Sequence, residues 1–296
     1  MVTLQATKNQ TQTANMLRIS FDQVNRVMYN AVERGLKRRS KRIVYRHVSI
    51  DEKAVRKGHD YISILSEETT GRVIGVVEGR SKTSVDNLCG QWLTAGQRAK
   101  VETLCTDMWD AYKYAAKTYF PSALLCHDHF HLVGYLNKAV DKVRRREVKK
   151  HEALKQTKYL FLKDQMNLTE QQRIRFESIK EANYAVSKAW RIKENFRDIQ
   201  FRQTQTEAFL IYNRWRKDAL QANIPEITKV VAMFDRNMKG IVNAIVTGST
   251  NARAERLNGA IQELKVRGRG YNNTQNLINA IMFFHGNLNL HSHNSQ

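Results

Sequence analysis

Between Ile43 and Cys126 the apolar residues gather in runs of strand length, whereas outside that stretch they recur with the period of a helix. This change of rhythm restricts the chain to folds that set one compact sheet among helices. Ile43–Ile50 and Tyr61–Leu65 read as strands, and the turn Glu67–Gly71 leads from the second into Val73–Val77, which predicts a hairpin. Val85, Leu88, Cys89 and Trp92 share one helical face. Val101–Thr106 reads as a fourth strand, Trp109, Tyr112, Ala116 and Tyr119 mark a second helix stopped by Pro121, and Ala123–Cys126 is a fifth strand. Three successive strands followed by alternating helix and strand describe an α/β fold with a mixed five-stranded sheet flanked by helices.

Pro121 and Pro225 are the only prolines in 296 residues, so long uninterrupted helices are permitted. Residues 129–248 carry no strand signal. Leu132, Tyr135, Leu136, Ala139 and Val143 form an apolar stripe surrounded by Lys138, Lys142, Arg145 and Lys149, and similar stretches follow over 169–200 and 204–222. The expectation is an all-helical insertion within a sheet domain whose first part is 43–128 and whose end is 249–296. That end reads as a helix capped near Ser249-Thr250-Asn251, a Gly-rich basic loop from Arg267 to Tyr271, and an apolar helix around 274–288. Residues 1–42 form the remaining zone. Ser20 is a good helix N-cap, followed by Val24, Val27, Met28 and Ala31 at helical spacing, with Asp22, Gln23, Asn25 and Arg26 outward. This segment reads either as the second half of a helix-turn-helix or as a plain amphipathic helix packed on the main domain. The basic run Lys37–Arg42 then suits a linker lying along phosphates.

Charge narrows the partners. The 49 Lys plus Arg against 28 Asp plus Glu leave a net charge of +21, which suits a polyanionic partner, nucleic acid above all. Cys89, Cys105 and Cys126 fall in a helix and two strands without metal-ligand spacing, as buried thiols of a reduced compartment would. No apolar run is long enough for a membrane span, and the start lacks the apolar centre of a signal peptide, so a soluble intracellular chain without a membrane partner is expected.

Three carboxylates stand out by position. Asp51 follows the first strand, Asp107 follows the fourth, and Glu255 lies on the helix after residue 249, whose Leu257, Ile261 and Leu264 face inward while Asn251, Glu255, Asn258 and Gln262 share another face. If the first and fourth strands are neighbours, Asp51 and Asp107 can share one ion. Hard divalent cations choose carboxylate oxygens, and two of them about 4 Å apart can activate a nucleophile and stabilise a leaving oxyanion in phosphodiester chemistry. Taken singly, each acid reads equally as a surface residue.

The surrounding residues add a resemblance. Ser49-Ile50-Asp51-Glu52 with Arg56-Lys57-Gly58 and Tyr61, Glu78-Gly79-Arg80, Thr106-Asp107-Met108 with Tyr112, Pro121-Ser122-Ala123 with Asp128-His129-Phe130-His131, Asn251–Glu255 with Asn258, and Arg269-Gly270-Tyr271 together resemble the ISL-three family of bacterial insertion-sequence transposases, within the Mutator-like DDE group. The resemblance covers about residues 43–290. It implies an RNase H-like fold, a catalytic and metal-binding triad of Asp51, Asp107 and Glu255, and two Mg²⁺ ions for which Mn²⁺ can substitute. It also implies DNA cleavage and strand transfer at insertion-sequence ends in the bacterial cytoplasm, at the nucleoid. The partners implied are double-stranded DNA, both terminal inverted repeats and target, and further copies of the chain in a synaptic complex.

Asp110 and Asp128 compete with Asp107 for the second position. Asp128 with His131 resembles the family's accessory Asp-x-x-His motif, while reading equally as a helix cap beside a buried histidine; Asn258 is a further accessory candidate. Arg214-Trp215 resembles an Arg-Trp motif whose aromatic ring stacks on a base, and the alternative for Trp215 is a place in the helical core. Lys265, Arg267, Arg269 and Tyr271 are DNA-contact candidates because a glycine-rich backbone can approach phosphates closely; the alternative is a basic surface turn. Members of the family carry a cysteine-rich zinc module ahead of the helix-turn-helix, and this sequence starts within that unit, as a truncated or split form would. Two rival functions remain open: a transposase-derived DNA-binding regulator without cutting activity, and a nuclease or resolvase on the same fold.

Overall fold

The computed structural model describes residues 1–56, 60–163, 165–181, 184–249, 252–268, 271 and 273–291. It divides into two compact units, Met1–Leu125 with Asn251–Gln296, and Cys126–Thr250. Strands β1 (His47–Ala54), β2 (Tyr61–Glu67), β3 (Val73–Glu78), β4 (Thr103–Thr106) and β5 (Leu124–His127) form one sheet in the order β3-β2-β1-β4-β5. In chain order the helices are α1 (Val2–Thr7), α2 (Gln10–Leu17), α3 (Phe21–Arg38), α4 (Lys82–Trp92), α5 (Ala95–Arg98), α6 (Asp110–Tyr119), α7 (His129–Val148), α8 (Lys158–Leu162), α9 (Glu170–Lys180), α10 (Ala185–Arg197), α11 (Gln205–Gln221), α12 (Pro225–Arg236), α13 (Met238–Thr247), α14 (Ala252–Arg267) and α15 (Thr274–His285).

The first and fourth strands are neighbours, as the strand order allows: β1 pairs with β4 in parallel, from His47 opposite Thr103 to Ile50 opposite Thr106. The β1–β2 and β2–β3 pairs are antiparallel. Alternate side chains enter two apolar cores. Val48, Ile50, Leu65 and Ile74 join Val85, Leu88 and Cys89 of α4 and Tyr112 and Ala115 of α6 on one side. Ile62, Ile64, Val73 and Val76 join α3, α14 and α15 on the other. All three cysteines are buried and outside any disulfide, and burial pushes the Cys89 thiol up to about 12. Among the described residues no helix is long and apolar enough to cross a membrane.

The strand at Ile43–Ile50 is displaced in the structure. β1 starts at His47 because Tyr45 turns into the core and the Arg46 carbonyl accepts hydrogen bonds from the amides of Glu102 and Thr103. It then runs on through Asp51, Glu52 and Lys53, whose backbones pair with Ile64, Ser63 and Ile62 of β2. Asp51 therefore lies within the strand and not after it. At the amino terminus Ser20 caps α3 with a full capping box to Gln23. α2 ends three residues earlier, so a helix, a short turn and a second helix are present. Its inward residues are Gln10, Thr13 and Ala14, too polar to register as apolar periodicity. Val27 is 43% exposed, against the expectation of an inward place. Within Lys37–Arg42, Arg39 does not lie on the surface as a phosphate contact: its guanidinium donates to the carbonyls of Val73, Ile74 and Gly286, tying α3 to β3 and the end of α15.

The second unit, by itself, is all-helical. α7 packs along α10 and α12, and two groups of ring contacts fill its core, one of Phe161, Phe176 and Trp190 and one of Phe196, Trp215 and Phe234.

Gly75 marks the closest approach of β3 to α4, since a Cβ there would collide with the Trp92 ring. Gly75→Ala is expected to destabilise the protein by about 1–3 kcal/mol through overpacking. Thermal melting measures this, and an unchanged midpoint would contradict the packing described.

Candidate active site

The β1–β4 register brings two acids together. Ile50 and Thr106 are the last parallel partners, so Asp51 and Asp107 are the first residues beyond the paired stretch on adjacent strands. Asp51 is 9% exposed. Its Oδ1 accepts from the Glu52 amide at 2.8 Å and its Oδ2 from the Asn258 side-chain amide at 2.5 Å. Asp107, half-buried, accepts from the Met108 amide at 2.6 Å.

Glu52 is a third acid in the same neighbourhood. Burial holds its carboxyl above the usual carboxylate range; Arg80 opposes that shift, and the charges of Asp51 and Asp107 reinforce it. Arg80 bonds both Glu52 oxygens, at 2.9 and 3.2 Å. The Tyr112 hydroxyl, 3.4 Å from Ser63 Oγ, is also pushed up by burial, with the same three acids adding to the effect.

α14 is fastened along β1. Leu257, Ile261 and Leu264 are buried, as their spacing predicts, while Glu255 and Gln262 are exposed and Asn258 is half-buried. Lys53 Nζ donates to the Asn258 carbonyl at 3.3 Å, and Lys265 Nζ to the Ala54 carbonyl at 2.8 Å. Glu255 therefore sits one helical turn before the residue that bonds Asp51. Among the described residues no three His, Cys, Asp or Glu side chains converge as a ready-made metal-ligating group. The donor set nonetheless fits a hard cation: Asp51 and Asp107 offer carboxylate oxygens just beyond the β1–β4 pairing, and Glu52, its carboxyl raised chiefly by burial, adds a third acid nearby.

The other candidates divide. Asp110 has a side chain 94% exposed and pairs with Lys113 at 2.7 Å. Asp128 is buried and caps α7, accepting from the Phe130 amide at 2.9 Å, with its Oδ2 3.7 Å from His131 Nε2. Arg214 is exposed. Trp215 is a correction to the base-stacking expectation: it is 5% exposed, its indole N–H donates to the Ile192 carbonyl at 3.0 Å, and its ring contacts Phe196, Tyr212 and Phe234. Tyr271 is likewise turned inward, packed against the core with its hydroxyl donating to Gln10 Oε1 at 3.1 Å. Arg267 pairs with Glu263 at 2.6 Å. Arg269, and the cap at Thr250-Asn251, lie outside the described residues. Sequence reasoning missed Glu52, Arg80 and Trp109 as members of the site. Their signal was adjacency: Glu52 follows Asp51, Trp109 is two residues from Asp107, and Arg80 follows the last strand of the hairpin.

A mixed sheet in this order, with acids at the facing ends of β1 and β4 and an all-helical unit inserted before the acid-bearing α14, is the RNase H-like architecture of DDE transposases. The model of the ISL-three (ISL3) DDE family, described as "Transposase", matches residues 48–281, and the chain belongs to that family. It is 24% identical to the transposase for insertion sequence element IS1001 of Bordetella parapertussis, over 76% of this chain and 57% of the relative. It is 22% identical to the transposase for insertion sequence element IS1557 of Mycobacterium tuberculosis, over 91% of this chain and 67% of the relative. The chain thus spans between 57% and 67% of the length of these curated relatives.

The placement of Trp215 has a measurable consequence. Trp215→Ala should cost about 3–5 kcal/mol of folding stability, read as a sharp fall in melting temperature. A variant that melts like the parent would return Trp215 to the candidates for base stacking.

Proposed function

We propose that this chain catalyses metal-dependent DNA strand cleavage and strand transfer at the ends of an insertion sequence. The observation that carries the reading is the β1–β4 register, which sets Asp51 beside Asp107 at the edge of a strongly basic chain. Asp51, Asp107 and Glu255 would hold two Mg²⁺ ions, or Mn²⁺ in their place, with Asp128, His131 and Asn258 as accessory residues. Bound there, such ions activate a water or a 3′-hydroxyl and stabilise the leaving oxyanion.

The chain's own residues supply the rest. Asn258 donates to Asp51 Oδ2 and so fixes the carboxylate's orientation. Arg80 holds Glu52 in place and neutralises one negative charge beside the incoming phosphate. The net charge of +21 favours phosphate contacts with the terminal inverted repeats and with target DNA. Joining two ends requires a second copy of the chain in the complex, and the cytoplasm, at the nucleoid, is where such DNA is met.

The test is incubation of labelled insertion-end DNA with Mg²⁺ or Mn²⁺, scoring cleavage and joining separately. The parent should do both. Asp51→Ala, Asp107→Ala and Glu255→Ala should each abolish both while still binding DNA, and Asn258→Ala should lower the rate by about 10- to 100-fold. Cutting without joining would favour a nuclease or resolvase. Binding without cutting would favour a DNA-binding regulator, and activity of Asp107→Ala with loss in Asp128→Ala would move the second carboxylate.

A further inference from the structure

Trp109 is a large aromatic residue left 47% exposed two positions after Asp107, and the side chains around it form a built arrangement. The Arg80 guanidinium lies between two rings, 4.0 Å from the centroid of Tyr61 and 5.2 Å from that of Trp109. Its bonds to both oxygens of Glu52 keep it there. Trp109 is thereby coupled through one arginine to the residue that follows Asp51. Next to it opens a cavity of about 350 Å³ lined by Arg80, Ser81, Lys82, Trp109, Asp110, Ala111 and Tyr114, in which the one acid, Asp110, is paired with Lys113 at 2.7 Å. Lys82, exposed, stands with its Nζ 4.0 Å from the Tyr114 ring centroid.

Aromatic faces interleaved with cations have a specific chemistry. A flat π-system is stacked by an indole, and an anionic backbone is met by lysine and arginine; a nucleotide whose base is unpaired offers both together. A base inside a duplex offers no free face, so the surface does not suit an intact double helix. The ordinary alternative, an exposed hydrophobic residue of no consequence, leaves unexplained why two cations, Arg80 and Lys82, and two rings, Trp109 and Tyr114, line one cavity.

We propose that this cavity holds an unpaired base of the DNA strand next to the scissile position, stacked on Trp109, with Lys82 meeting its phosphate and Arg80 fixing the indole. The proposal rests on the function proposed above and names the form of DNA that the site takes. A strand with a frayed or extended end would then be held more tightly than a blunt one.

The experiment measures affinity of the full chain for a short blunt duplex and for the same duplex with a single-stranded extension, without divalent cation, so that nothing is cut. The parent should prefer the extended duplex. Trp109→Ala should weaken binding of the extended duplex by roughly fivefold to a hundredfold with blunt-duplex affinity unchanged, while Trp109→Phe keeps most of the preference. Melting of each variant confirms that the fold is intact. A parent that binds both duplexes equally, or a Trp109→Ala loss shared by both, would overturn the proposal and leave the proposed function standing. A parent that binds neither would overturn the two together.

Discussion

Parallel pairing of β1 with β4 sets Ile50 opposite Thr106, so that Asp51 and Asp107 leave the paired stretch side by side. Most of the site follows from that register. A slip of one residue would turn Asp51 toward the opposite face of the sheet, and Val48 and Ile50, buried in the core on one face, hold β1 against such a slip. Placing acids next to one another carries an electrostatic cost, which adds to the burial that chiefly raises the Glu52 carboxyl. The structure offsets part of it locally, with Arg80 on Glu52 and the Asn258 amide on Asp51. On the proposed reading, divalent cations offset the remainder.

Much of this was legible in the sequence because it is written in apolar periodicity. The strands, α4 and the inward face of α14 are set largely by where Val, Ile and Leu recur, and α6 by Tyr and Ala at helical spacing. What escaped was set by polar contacts. The start of β1 depends on the Arg46 carbonyl receiving two amides, and its extension past Asp51 on backbone pairing with β2, neither of which periodicity reports. α2 went unnoticed because its inward residues are polar or small. Motif resemblance misled in a different way. It marked Trp215, as the glycine-rich basic loop marked Tyr271, while burial and hydrogen bonding place both rings in packed surroundings. Glu52, Arg80 and Trp109 were missed because their association is tertiary.

The net charge of +21 also reads differently with the structure in hand. Some cations are committed internally. Arg39 is spent on three carbonyls, Arg144 and Arg145 on Asp141, and Arg216 on Asp235. Arg39 ties α3 to β3 and Arg216 ties α11 to α12, while Arg144 and Arg145 pair with Asp141 within α7. Among the exposed cations that remain are Lys82 beside Tyr114 and Arg214 on α11. Counting charges gives the sign of the partner, and the hydrogen bonds decide which residues can meet it.

The central claim is that Asp51 and Asp107 form one cation site across two strands. Binding of Mn²⁺ to the protein alone, followed by electron paramagnetic resonance, tests it without requiring DNA or turnover. The account predicts that Asp51→Asn and Asp107→Asn each weaken Mn²⁺ binding markedly while the melting temperature stays near the parent's, because each substitution removes a ligand charge and little volume. Unaltered Mn²⁺ binding in both variants would contradict it.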